Sequence, residues 1–165
     1  MAELVGYQDF VRARAGHLFQ VAYFMCGNWH DAQDLVQTSL AKMYVSWHRV
    51  EKVENLEAYA RTVMLRTYLS HRRLKRSSEL PVDDLGPAQA AQEDQDLRLT
   101  LVSALRQLPP RNRAVVVLHY LEGHSNEEVA RITGSTVAGV KSRNTRSLAQ
   151  LRELLGGDRD VLFTR

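Results

Sequence analysis

Lys141, Ser142, Arg143 and Arg146 place three cations and a hydroxyl close together, in a segment with no acid between Ser135 and Arg152. The chemistry open to such a set is recognition rather than bond making. An arginine such as Arg143 can bridge O6 and N7 of a guanine, while Lys141 and Arg146 hold phosphates. A second basic group lies earlier in the chain, where Arg61 to Arg76 carries six Lys or Arg residues and no acid. Tyr68 and His71 interleave there with Arg66, Arg72 and Arg73, a mixture suited to single strands, whose bases stack on rings while the backbone follows positive charge. The competing reading, in which Tyr68 is core and the arginines are plain surface, stays open on local sequence. Catalytic chemistry is not indicated. His17, His30, His48, His71, His119 and His124 show no metal-ligand spacing, and neither a phosphate-binding glycine loop nor a nucleophile motif occurs. No metal site or cofactor is expected.

The elements that must present Lys141 to Arg146 can be read locally. Ser125 and Glu128 form an S-x-x-E capping box that starts a helix, with Val129 and Ile132 on its apolar stripe. Counting from Asn126, the fifth position is Ala130, small enough for two crossing helices to meet. The ninth is Gly134, at the tight turn, and the fifteenth is Val140, which points into the angle between the helices. Thr136 is the expected N-cap of the second helix, which runs to about Leu154 with Leu148, Leu151 and Leu155 inward. This pattern is a helix-turn-helix that offers its second helix to duplex DNA. An amphipathic hairpin with a merely solvated basic face is the plain alternative.

Composition bounds the rest. With 165 residues, 44% of them hydrophobic, the chain suffices for one domain or two small ones. Its net charge of +3 conceals segregation, since Glu79 to Asp96 holds six acids and no Lys or Arg. One cysteine, Cys26 in the apolar run VAYFMC, excludes an internal disulfide and reads as a buried thiol. No signal-like or membrane-spanning run occurs, so the cytoplasm is the expected compartment and membrane insertion is not. Helical periodicity dominates and strand signals are almost absent. The expected architecture is all-α, with two small helical domains at 1–76 and 97–155, an acidic linker at 77–96 and a tail at 156–165. In the first domain, Gly27 and Asn28 separate two helices. The second helix carries Ala32, Leu35, Val36, Leu40, Met43, Tyr44 and Trp47 inward, and Asp34, Gln37, Thr38 and Ala41 on its polar face. A third helix is expected to bury Leu56, Tyr59, Ala60 and Val63 before turning basic.

Taken together, the two blocks resemble the bacterial sigma factors of the extracytoplasmic-function group, sigma-70 family group 4, and within it a SigE-like subgroup. The matching pieces are AYFMCGNWHDAQDLVQTSLAKMYVSW with its D-A-x-D-L-V-Q core, the helix YARTVMLRTYLSHRR, and LRQLPPRNRAVVVLHYLEGHSNEEVARITGSTVAGVKSR with its L-P-x-R-x-R stretch and V-K-S-R. The resemblance covers about Tyr7 to Leu155. It implies a protein that binds core RNA polymerase and directs it to promoters. Asp34, Gln37 and Thr38 match the surface docked on the β′ clamp helices. Arg61, Arg66, Tyr68, His71, Arg72 and Arg73 match the segment that captures and melts the −10 element. Thr136, Lys141, Ser142, Arg143 and Arg146 match the reader of the −35 element, and the helix Leu108 to Leu121 faces the β flap. Promoter DNA and core polymerase are the implied partners, and the group often adds an anti-sigma factor.

The chain departs from the family pattern at four positions. Arg66 stands where Asn is common, Thr38 where Glu is frequent, and Gly139 where Thr is frequent. Asn144 replaces a commonly apolar residue and either reads a base or faces water. Two other functions fit the residues less completely. A helix-turn-helix regulator would bind DNA without polymerase, and a helical scaffold would bind a partner and no DNA.

Overall fold

The computed structural model describes residues 2–74 and 92–156, all but the short connections being helical. The acidic stretch up to residue 91 and the tail from residue 157 lie outside the described residues. The chain divides into two units at residues 84 and 85.

In the first unit, α1 (Ala2–Cys26), α2 (Trp29–Val45) and α4 (Leu56–Leu74) pack on one another, with the one-turn helix α3 (Trp47–Val50) against α1 and α2. The α1–α2 reversal needs a left-handed residue, which Gly27 supplies at φ 70°. Asn28 then caps α2, its Oδ1 accepting from the Asp31 amide at 3.0 Å. Leu18, Val21, Met25, Leu35, Met43, Met64 and Leu65 form the core. Ser46 leaves helical geometry at ψ 21°, so α2 ends at Val45 and Trp47 opens α3 as a separate buried element. Tyr44 is half exposed rather than inward, its ring lying 4.9 Å from that of Tyr7. Cys26 is buried and not disulfide-bonded.

On α4 the inward stripe is Ala60, Met64, Leu65 and Tyr68, whereas Leu56, Tyr59 and Val63 are only partly covered. The buried face is therefore rotated about the helix axis from the expected one, with Ala60 common to both. Spacing from Ala60 through Met64 to Tyr68 carries the packed face along the whole helix.

The second unit contains α5 (Gln92–Arg106), α6 (Pro110–Val116), a π-helical turn (Val117–Leu121), α7 (Asn126–Thr133) and α8 (Val137–Leu155), with α8 packed on α5, α6 and α7. The helix α5 begins at Gln92, so it takes in the last residues of the stretch read as linker; no proline or glycine follows Pro87 to stop it. Pro110 opens α6 at a position whose N–H would be unsatisfied anyway. The apolar VVVL run is helical and buried, not a strand.

Arg113 holds the α5–α6 corner together. It is 3% exposed, and its guanidinium donates to the carbonyls of Leu105 at 2.7 Å, Arg106 at 3.0 Å and Leu108 at 3.1 Å. Leu105 and Arg106 belong to the last turn of α5, where carbonyls lack intrahelical donors, and the Leu105 carbonyl also accepts from the Leu108 amide at 3.0 Å. A cation there also meets the negative end of the helix dipole. The second arginine of the L-P-x-R-x-R stretch is thus a helix C-cap reached from the next helix.

Candidate nucleic-acid and polymerase interfaces

The helix-turn-helix is built as its sequence requires. Glu128 N–H donates to Ser125 Oγ at 3.1 Å and Ser125 N–H donates to Glu128 Oε2 at 2.9 Å, closing the capping box. The Ser125 amide, followed by His124, holds the Glu128 carboxyl below its ordinary range. Ala130 and Val140 are buried where α7 and α8 meet, and Gly134 takes φ 66° between them. Thr136 caps α8, its Oγ1 accepting from the Gly139 amide at 3.0 Å.

This frame leaves Lys141, Ser142 and Arg146 exposed along α8, with Arg143 half-buried beside them. Arg146 lies back on its own helix, donating from Nη2 to Ser142 Oγ at 3.2 Å. Four of the expected reading residues therefore share one helix, and Thr136 is exposed at its start. Asn144 does neither of the things expected of it. It is 6% exposed, its Nδ2 donating to Asn126 Oδ1 at 3.3 Å across to the first residue of α7, and its own Oδ1 meets no donor among the described residues. It is an interhelix residue, placed where the motif usually has an apolar one. Nothing in its spacing from Val140 distinguishes the two cases except that i+4 from a core position is itself a core position.

On the first unit, Asp34 and Gln37 are exposed on α2 and Thr38 is half-buried beside them. On α4, Arg66 and His71 are exposed and Arg61 is half-buried; Arg72 and Arg73 belong to its last turn. Tyr68 does not join them. Its ring is 3% exposed and its hydroxyl donates to the Met25 carbonyl at 3.0 Å, so it ties α4 to the end of α1 and offers no face for a base. The signal was present in its i+4 spacing from Met64, which the flanking arginines obscured. Lys42, which sequence reasoning passed over, reaches across from α2 and donates to Thr67 Oγ1 on α4 at 3.0 Å.

Among the described residues, no group of three or more His, Cys, Asp or Glu side chains is arranged to hold a metal, and no helix is long and apolar enough to cross a membrane.

These features define an all-α, helix-turn-helix protein with a separate helical unit before it. Residues 10–78 match the sequence profile of sigma-70 region 2, and residues 98–151 that of sigma-70 region 4. The RNA polymerase sigma-E factor of Streptomyces coelicolor is 37% identical over 157 residues, which cover 94% of this chain and 89% of that one. The ECF RNA polymerase sigma factor SigE of Mycolicibacterium smegmatis is 33% identical, over 93% of this chain and 63% of its own. Among solved structures, the sigma factor RpoE in complex with the anti-sigma factor NepR, from Bartonella quintana, superposes with a TM-score of 0.74 at 26% identity, covering 93% of this chain and 98% of that one. CnrH in complex with the cytosolic domain of CnrY, at 23% identity and a TM-score of 0.63, shares the fold. The chain belongs to the sigma-70 family, in its extracytoplasmic-function, SigE-like group.

Proposed function

We propose that this protein is a sigma factor that binds core RNA polymerase and directs promoter-specific initiation without catalytic chemistry of its own. The observation that carries this reading is the pairing, in one chain, of a region 2 unit and a region 4 helix-turn-helix whose second helix exposes Lys141, Ser142 and Arg146 beside Arg143. The division of labour assigns 1–76 to polymerase and the −10 element, the stretch from 77 to the start of α5 at Gln92 to the connection, the second unit from Gln92 to Leu155 to the −35 element and 156–165 to a tail.

On α2, Asp34 and Gln37 with Thr38 dock on the β′ clamp helices; the exposure of Asp34 and Gln37 on one face, with Thr38 half-buried beside them, supports that role. Arg61, Arg66, His71, Arg72 and Arg73 capture the −10 element. Melting there needs no bond chemistry, because holding unstacked bases removes the duplex from the equilibrium. Arg66, exposed where relatives have Asn, takes phosphate in this scheme. On α8, Arg143 reads a base edge, and Thr136, Lys141, Ser142 and Arg146 position the helix on the −35 duplex. The partly exposed Tyr120 and Leu121 at the end of the π-helical turn face the β flap. As a polymerase subunit the protein acts in the cytoplasm. The likeness to RpoE held by NepR supports an anti-sigma factor as a further partner.

The test is promoter binding with and without core polymerase. The expected result is weak, strongly salt-dependent binding by the protein alone and tight, sequence-selective binding with polymerase, lost in Asp34→Arg while its helical circular dichroism is kept. Equal, tight and selective binding with or without polymerase would overturn the reading.

A further inference from the structure

Gly139 sits in the first turn of α8, at a point where two side chains converge on the space that its own would occupy. A Cβ built on Gly139 would lie 3.0 Å from Thr136 Oγ1 and 3.6 Å from Nη1 of Arg143. The first neighbour is the capping hydroxyl, fixed by its 3.0 Å bond from the Gly139 amide. The second is the far end of a flexible side chain one turn onward. Helical side chains lean toward the N-terminus, so residue i+4 covers the surface of residue i. Here that geometry brings the guanidinium back over the bare glycine, and Arg143 is half-buried while Lys141, Ser142 and Arg146 are exposed.

We infer that Gly139 is a specificity-determining position of the recognition helix, because its missing side chain lets the Arg143 guanidinium fold over the first turn of α8 and address the base pair facing that turn. The inference rests on the proposed reading of α8 as the −35 reader. In recognition helices the N-terminal residues approach the base edges. A cation held at a helix N-terminus is disfavoured by the dipole, and acceptors on a guanine edge offset this. A side chain with atoms beyond Cβ at position 139 meets the cap on one side and the guanidinium on the other. The cap is anchored, so the guanidinium gives way. Successive base pairs are spaced about 3.4 Å along the duplex axis, so a displacement of a few ångströms moves the arginine by a whole base step.

The experiment uses holoenzyme assembled from core polymerase and the full-length chain, a promoter pool randomised across the −35 element, and sequencing of the transcripts. Gly139→Thr, and Gly139→Ser as a smaller change in case threonine prevents folding, are each checked by thermal melting. The expected result is a changed preferred base at one −35 position, by roughly tenfold, the discrimination that a single bidentate arginine–guanine pair supplies. In an Arg143→Ala background the same substitutions should produce no further change at that position, since glycine acts through the arginine. An unchanged preference profile in the position-139 variants would overturn the inference. So would a uniform loss across all −35 sequences, which is the mark of a glycine needed only for close backbone approach. If the unsubstituted holoenzyme selects no −35 sequence at all, the underlying reading of α8 fails and the inference falls with it.

Discussion

Replacing Arg113 by Met should unfold the second unit selectively, and the size of the effect follows from the geometry of the α5–α6 corner. Methionine keeps much of the side-chain volume and removes the charge, so no unpaired cation is left buried. What remains is three carbonyls that lose the guanidinium donors at 2.7, 3.0 and 3.1 Å, of which that of Leu105 keeps the Leu108 amide at 3.0 Å. An unsatisfied buried acceptor costs about 1 to 3 kcal/mol. Only the Arg106 and Leu108 carbonyls can be left unsatisfied, and they share one donor group, so the sum is not additive and about 2 to 4 kcal/mol is the working figure. At about 0.05 to 0.15 kcal/mol per residue, a unit of roughly 65 residues holds only about 3 to 10 kcal/mol. The substitution therefore removes a large share of the unit's stability. For domains of this size each kcal/mol is worth about 4 to 8 °C, so the transition should fall by at least about 8 °C. Both tryptophans, Trp29 and Trp47, lie in the first unit, which gives the assay its selectivity. Tryptophan fluorescence should report a first-unit transition unchanged by Arg113→Met, while circular dichroism at 222 nm loses helix at the lower temperature. Arg113→Lys should fall between the two, because an ammonium lacks the planar fork that reaches separate carbonyls. A second-unit transition within about 2 °C of the unsubstituted protein, a shift worth less than about 1 kcal/mol, would refute the assignment of Arg113 as the cap of α5.

Four further outcomes are expected. Asn144→Leu should stabilise the second unit by about 1 kcal/mol, read as a higher melting temperature, because the buried Oδ1 it removes has no donor; a lower one would mean that the bond to Asn126 outweighs that cost. Gly134→Ala should cost about 1 to 2 kcal/mol in chemical denaturation and Gly134→Asn less, since the position holds φ 66° with open space around it. Glu128 has its carboxyl depressed by the Ser125 amide and His124, so its contribution is complete above the unfolded carboxyl's pKa and disappears as the pH falls through the lower folded value; Glu128→Gln, whose amide oxygen can still accept but does not titrate, should flatten the fall of melting temperature with acidification in that range. Arg143→Ala should cost about 1 to 3 kcal/mol of discrimination at one −35 base pair in competition binding by holoenzyme, with core polymerase affinity unchanged.

The helix-turn-helix was legible in the sequence because each of its constraints is local. A capping box, a small residue at Ala130, a left-handed glycine at Gly134 and an inward Val140 are each specified by their own neighbours, and all four occur as read. The α1–α2 reversal at Gly27 and Asn28 was legible for the same reason. What was not legible depends on tertiary partners. Tyr68 carries both an aromatic ring fit for stacking and a spacing fit for the core, and only the Met25 carbonyl across the bundle decides between them. Tyr44 follows the inward pattern of α2 but is half exposed beside the buried Met43, its ring packed on that of Tyr7. Arg113 and Asn144 are polar residues at buried positions, a role composition argues against, and each is accommodated by groups that come from another helix. That Lys141, Ser142 and Arg146 share one exposed helix was readable from their spacing, but the posture of Arg143 was not, since its guanidinium lies where a Cβ on Gly139 would stand 3.6 Å from Nη1.

Whether this chain confers promoter specificity on RNA polymerase is decided by in vitro transcription. Purified core polymerase, the full-length protein and a pool of genomic promoter fragments would be combined and the RNA 5′ ends sequenced. Discrete start sites that share two upstream elements at fixed spacing, and that vanish when the protein is omitted, are the expected result. An identical set of 5′ ends with and without the protein, together with no measurable association with core polymerase, would contradict it.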